Sequence, residues 1–523
     1  MWQQLPVNIY PAAVIAIVPL LWIFLGMLKF KLPAYKVSLI AVAISILPAV
    51  FIWKMPLVYT AQSLLEGIIL GFWPILWVVF SAVFTYNLSV RSGAMGKIKT
   101  MLSGISPDRR IQALILAFGF GGFLEAAAGF GTAVAIPAGI LAALGFEPLF
   151  AAIICLVANT IPVAFGAVGI PITTLAEVTK LPVNSLTIYT ALQLLPFVLI
   201  LPAFLVVLTT GNLKGLKGVG GISLASGLAF GMGQTLTAWF IGPELSAVIG
   251  SLCALGLLIV WIKLLPVKIP WYFPGENCNK IKTTLNIDFV EGLKAWSPYI
   301  LILVLILVTR MIPFLDFLNH FPFELKQQFY FGPGGKPMSF KLITNPGTVI
   351  VVSALIGAAF QGVPVKTMFI VAWATLKQIA KTIATVLSIV SLAKIMGYSG
   401  MISSVAAALS NITGGFFPLI SPLIGALGTF ITGSDTSANV LFGELQKQTA
   451  LQIDANPSWI AAANASGATA GKMISPQSIA IATTATNLSG SEAKILSKTM
   501  KYAAGFVILL GIFVYSINYF FIN

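Results

Sequence analysis

Charge is what this sequence has least of. Thirty Lys and Arg and 15 Asp and Glu make up only 9% of 523 residues, against about 25% in soluble globular domains. So few charges cannot cover a water-facing surface, which excludes a soluble enzyme or binding module. Histidine occurs once, at His320, and cysteine three times, at the scattered positions Cys155, Cys253 and Cys278. No CxxC, HExxH or Cys/His cluster exists, so neither a structural metal nor a disulfide framework is expected. The absence of a GxxxxGK[ST] loop excludes a built-in ATP motor, and no cofactor is implied. With one histidine outside the apolar runs, an enzyme lacks its nucleophile–base or metal constellation.

Apolar residues, by contrast, make up 58% of the chain. Runs of about 20 of them, the length that crosses a bilayer core, recur from residue 8 to residue 521. The reading is an all-α polytopic membrane protein with about 12 spans plus two re-entrant hairpins. Met1–Asn8 lacks the basic start of a cleaved signal peptide, and the first run continues to Leu28 as a full span. The 47 glycines and 30 prolines suit broken helices and close helix packing. The formal charge of +15 belongs to cytoplasmic loops rather than to a nucleic-acid partner, because such loops collect Lys and Arg. The sequence sets no oligomeric state.

By the same rule the N-terminus lies outside, and the turn with Lys29, Lys31 and Lys36 lies inside. A span at about 65–88 returns to the inside at Arg91, Lys97, Lys99, Arg109 and Arg110. The polar segment Pro266–Trp296, with Lys268, Lys280, Lys282 and Lys294, is inside, and the aromatic loop Leu315–Asn345 is outside. Two apolar stretches are interrupted. The first, a hairpin over about 111–145, carries GFGGFLEAAAGFGTAVAIP (118–136); the second covers about 416–442 and carries GTFITGSDTSANVLFG (428–443). A broken helix follows each, about 148–171 with NTIPVAFGAVGIP and about 459–481 with GATAGKMISPQS.

These features repeat. Pro56 aligns with Pro364, Met95 with Met401, Pro148 with Pro457 and Gly169 with Ile479, at offsets of 306 to 310. Such collinearity predicts two structural repeats, 8–210 and 296–521, joined by a 211–295 segment of two spans and a cytoplasmic loop. The charge map makes them inverted, an arrangement that brings hairpins and broken helices to a shared centre near the bilayer midplane.

At that centre Asp435 is the residue hardest to explain as structure, since a carboxylate at membrane depth costs several kcal/mol. It also suits a helix start. Glu125 is its counterpart in the first hairpin. Ser434, Thr436, Ser437 and Asn439 offer donors in the second hairpin, while Gly129, Gly131 and Thr132 offer backbone N–H groups and a hydroxyl in the first. Asn159 opens the NTIPVAFGAVGIP run of the first broken helix. Helix N-termini favour an anion, and one fixed cation would complete a site for a small monocarboxylate. Lys472 is best placed for this; Lys377 and Lys381, four apart on one helix face, are the alternative. Either could instead only balance Asp435 or Glu125. Driving an anion into a negative-inside cell costs about 2.3 kcal/mol per 100 mV. A buried carboxyl that binds and releases a proton removes that cost, so Asp435 and Glu125 are the candidate coupling groups, Asp435 preferred. Glu66, Glu177 and Glu444 read as interfacial.

GFLEAAAGFGTAVAIPAGIL (122–141), VANTIPVAFGAVGIP (157–171), GTFITGSDTSANVLFGELQKQTA (428–450) and GATAGKMISPQSIAIA (467–482) resemble the bacterial lactate permeases over essentially the whole chain. The resemblance implies proton-coupled uptake of L-lactate, with D-lactate or glycolate also accepted, across the bacterial cytoplasmic membrane. It also implies an elevator-like fold with a scaffold and a mobile transport domain. The alternatives are a sodium-coupled carrier of another small organic anion and an anion channel.

Overall fold

The computed structural model describes residues 8–129, 131–274, 276, 288–311, 313–488 and 490–522. The chain begins with α1 (Ile9–Leu28), α2 (Ala34–Phe51) and α3 (Leu57–Leu70). A π-helical turn, Gly71–Leu76, carries α3 into α4 (Trp77–Arg91), and α5 (Ala94–Ser103) follows. Next come α6 (Arg109–Ala113), a second π stretch at Leu114–Phe120, α7 (Gly121–Ala127) and α8 (Thr132–Ala143). Then α9 (Pro148–Ala158), α10 (Gly166–Thr179), α11 (Val183–Thr210), α12 (Gly220–Phe240) and α13 (Pro243–Leu264) complete the first part. The second part holds α14 (Phe289–Met311), α15 (Pro346–Phe360), α16 (Val365–Ser399), α17 (Met401–Thr413), α18 (Phe417–Thr432) and α19 (Asp435–Gln452). It ends with α20 (Pro457–Ile474), α21 (Pro476–Ala485) and α22 (Glu492–Ile517).

Helices dominate because a backbone in hydrocarbon must satisfy its own N–H and C=O groups. Among the described residues 11 helical stretches are long and apolar enough to cross a membrane, beside the about 12 spans expected. The expected span at 65–88 starts earlier, at Leu57 after Pro56, and Leu57–Arg91 has the same 35-residue length as Val365–Ser399. The loop between α14 and α15 contains a small antiparallel pair, β1 (Glu324–Gln327) and β2 (Met338–Lys341). An all-α reading of the sequence passes over it. Lys97 pairs with Glu291 at 3.0 Å, which puts α5 and the start of α14 on one membrane face, as the loop charges require. Lys280 and Lys282 lie outside the described residues.

The helices form two layers. In the first, α2 and α3 pack on α16, α15 on α4, α1 on α17 and α14 on α5. In the second, α18 and α19 pack on α20, α10 on α19, α8 on α21 and α12 between α11 and α13. The layers meet mainly where α16 and α17 lie against α19. Hairpin 1 (α6–α8) is anchored at its base: Arg109 donates to Glu276 through Nε at 3.0 Å and Nη2 at 2.6 Å, and Arg110 pairs with Asp108 at 2.6 Å.

The tightest seam is between α18 and α20, which explains the run of small residues AAANASGATAG in α20. A Cβ built on Gly467 would sit 2.0 Å from the Pro422 carbonyl oxygen, and one on Gly471 2.1 Å from that of Ala426. Backbone cannot move aside as a side-chain tip can, so only glycine fits. Gly467→Val is expected to destabilise the fold by at least about 2 kcal/mol, the scale of an overpacked core. The midpoint of thermal unfolding in detergent checks this, and Gly505→Ala, which meets nothing within 4 Å, should leave the midpoint in place.

Candidate functional site

A cavity of about 450 Å³ opens between the two layers, and its wall is built from the breaks in the helices. Gly433 ends α18 at φ +71°; Ser434 then caps α19, its Oγ accepting from the Ser437 N–H at 3.3 Å. The first turn of α19, Asp435, Thr436 and Ser437, therefore faces the cavity. Ser475 caps α21 in the same way, accepting from the Ser478 N–H at 3.2 Å, and Pro476 and Gln477 at its start also line the wall. Two helix N-termini thus converge on one space, and both present partial positive charge to it. The third break is more strained. Ala167, Val168 and Gly169 have φ of 44°, 58° and 76°, a left-handed run that costs about 1–2 kcal/mol for each non-glycine residue. Gly169 has no alternative here, because a Cβ would lie 2.6 Å from the Pro243 carbonyl.

Lys472, in the last turn of α20, is buried, and its Nζ donates to the Gly433 carbonyl at 2.8 Å. An ammonium has three donors; the backbone takes one, and the rest of the group faces the cavity. Asp435 and Glu125 are both 3% exposed and both line the wall, and both interact electrostatically with Lys472. Asn159 donates to Glu125 Oε2 at 3.2 Å. Neither oxygen of Asp435 has a hydrogen-bond partner among the described residues, although burying a bare carboxylate is costly. The arrangement is one buried cation, Lys472, and two acids in a small, largely apolar cavity that two helix N-termini face, with the exposed Lys381 also on its wall.

The other expected site residues are distributed unevenly. Gly129 lines the cavity, but its N–H is already bonded to the carbonyls of Leu124 and Glu125 at 3.1 and 3.0 Å. The Thr132 hydroxyl turns to the Gly129 carbonyl at 2.8 Å, and Gly131 is packed beneath Ile481 of α21. Asn439 points away, donating to the Pro171 carbonyl at 3.1 Å and accepting from Asn464 at 2.9 Å. Lys381 is on the wall, whereas Lys377 lies over the Trp373 ring at 5.4 Å and is not. Glu177 is exposed and Glu444 half-buried, but Glu66 is buried at 2% exposure and paired with Lys394 at 2.7 Å, not interfacial. Sequence reasoning also misses Gln477, whose side chain packs against Gly433. Its signal was the SPQ that follows Lys472.

A cavity walled by discontinuous helices within a polytopic bundle defines a secondary-transporter class of membrane protein. The comparisons with known proteins narrow that class. The L-lactate permease family model matches residues 12–521. The L-lactate permease of Streptococcus iniae is 44% identical over 86% of this chain and 93% of its own length. Glycolate permease GlcA of Escherichia coli (strain K12) is 34% identical over 96% of this chain and 94% of its own. Of solved structures, the YdaH transporter of Alcanivorax borkumensis aligns at a TM-score of 0.49 with 13% identity, covering 87% of each chain. The chain belongs to the L-lactate permease family and is a multi-pass protein of the bacterial cytoplasmic membrane.

Removing Lys472 alone strands two buried carboxylates, and breaking a buried charge pair on one side costs about 3–5 kcal/mol. Lys472→Ala is expected to unfold at markedly lower temperature, and Lys472→Ala combined with Asp435→Asn to recover a large part of the loss. A double-mutant cycle on thermal unfolding checks the coupling.

Proposed function

We propose that the protein takes up L-lactate, and with it D-lactate and glycolate, by cotransport with protons. The observation that carries this reading is the charge content of the cavity. Its buried groups Lys472, Asp435 and Glu125 hold one positive and up to two negative charges, and the exposed Lys381 adds a positive charge on the same wall. A second anion about 4 Å from an ionised acid meets repulsion of about 4 kcal/mol at an effective dielectric constant of 20. If a proton enters with each monocarboxylate, the charge of the site does not change, and the Lys472 ammonium and the helix N-termini of α19 and α21 are left to hold the substrate carboxylate. Asp435, with both oxygens unpartnered, is the group that takes the proton. Ser434, Thr436 and Ser437 supply donors around the substrate. The L-lactate and glycolate permeases among the relatives favour a cargo of this size.

The packing supports inverted repeats and movement of one layer against the other. Partners are exchanged between halves: α2 on α16 and α15 on α4, α8 on α21 and α10 on α19. We assign α6–α13 and α18–α22 to a transport layer and the remaining helices to a scaffold. The cavity reaches Met27, Pro33 and Tyr35 beside the basic α1–α2 turn, so this conformation faces the cytoplasm.

Proteoliposomes carrying an imposed pH gradient test the proposal. Labelled L-lactate is expected to accumulate, to exchange in counterflow and to be displaced by glycolate, with choline substituting for sodium without effect. Asp435→Asn should abolish proton-driven accumulation and retain counterflow. Full accumulation by that variant would remove Asp435 from the coupling role, and failure of L-lactate to exchange would remove the cargo assignment.

A further inference from the structure

A second cavity, of about 390 Å³, lies on the opposite side of the layer interface. Its walls come from the outer end of α16, the end of α10, the second half of α19 and the tip of the β1–β2 loop. Four lysines line it: Lys180, Lys336, Lys394 and Lys447. The carboxylates that answer them are Glu177, Glu66 and Glu444, at 3.3, 2.7 and 3.3 Å from Lys180, Lys394 and Lys447. That leaves Lys336, exposed on the loop tip, as the excess cation of the group. Lys394 is the buried member, about nine-tenths shielded. One of its donors goes to Glu66 Oε1, an oxygen that also accepts from the Tyr398 hydroxyl at 2.8 Å. The ammonium lies on the cavity wall with donors to spare.

The neighbours hold this group in place. Tyr398 stacks on Tyr330 at 3.7 Å between ring centroids, and the Phe331 N–H donates to Gln62 at 3.0 Å. The β1–β2 loop is thereby pinned over α3 and α16 with Lys336 facing the opening. Lys394 stands 13 positions beyond Lys381, which lines the first cavity, so the two lie about 20 Å apart along α16 at 1.5 Å per residue. Between them the side chains of Ile389, Val390 and Leu392 are buried. The same helix therefore carries a lysine in an inward-facing cavity, a hydrophobic barrier, and a lysine in an outward-facing one.

We infer that the outer cavity is an anteroom that binds a small carboxylate anion from the external side before the substrate site becomes accessible. Lys394 makes the contact, Lys336 supplies attraction at the mouth, and Glu66 and Tyr398 are positioning residues that hold the Lys394 ammonium on the wall. The assignment rests on the transport reading above. A basic cleft raises the local concentration of an anion and its rate of arrival, so this cavity acts on uptake and not on efflux.

Sidedness provides the test, in right-side-out vesicles with labelled L-lactate as the probe. External KM for uptake is compared with the internal half-saturation for efflux from preloaded vesicles. Lys336→Gln, on an exposed loop, is expected to raise external KM about twofold, and Glu66→Gln with Lys394→Gln about tenfold, within the range of cleft focusing. Both should leave internal half-saturation unchanged, and external KM of the wild type should rise with salt as screening shortens the field. Removing Glu66 and Lys394 together avoids a stranded buried charge; if that pair still fails to fold, Lys336→Gln alone decides. An unchanged external KM, or equal shifts on both faces, overturns the anteroom. Wild-type vesicles that take up no L-lactate overturn the transport reading first and the anteroom with it.

Discussion

The chain is arranged around one electrostatic constraint: a single ammonium, Lys472, must serve two buried carboxylates and the backbone carbonyl of Gly433 in a medium that solvates none of them well. Water would screen such charges; a membrane interior does not. Three helices therefore break around the same cavity. A continuous helix satisfies its own backbone and has nothing left to offer a charge, whereas a broken one exposes N–H groups at the new start. The cap at Ser434, the cap at Ser475 and the left-handed turn at Ala167–Gly169 are three ways of producing such an end.

How much of this was legible beforehand follows from where each signal resides. Breaks encoded by Gly and Pro were readable, because those residues act on their own backbone. Asp435 and Lys472 were readable for the same kind of reason: a charge in an apolar run is conspicuous without knowledge of its neighbours. The inward reach of Thr436 and Ser437 followed from the cap. What failed depends on partners far away in sequence. Asn439 looked like a ligand because a polar side chain near Asp435 has two possible uses, and only the position of Pro171, 268 residues away, shows that it ties α19 to α10.

The amide groups of the first hairpin failed differently. Gly129 was expected to offer a free N–H, but a turn closed by glycine bends back far enough to spend that donor on Leu124 and Glu125. Glu66 looked peripheral on its own, and Lys394 drew no attention. Their pairing joins α3 to α16 through two residues more than 300 positions apart, so neither residue carries the signal. The β1–β2 pair escaped because four-residue strands outside the membrane leave little periodicity to read.

The interleaving of the halves bears on how the protein is made. Gly131, at the tip of hairpin 1, is seated against Ile481, and α8 packs on α21. The ribosome finishes α21 only when about nine-tenths of the chain has been synthesised. Until then hairpin 1, with Glu125 on it, has no lid on that face and must wait in the bilayer beside lipid or insertion machinery. A truncated product ending before residue 476 is thus not a smaller transporter but an unfinished one, with the face of α8 that α21 covers left bare.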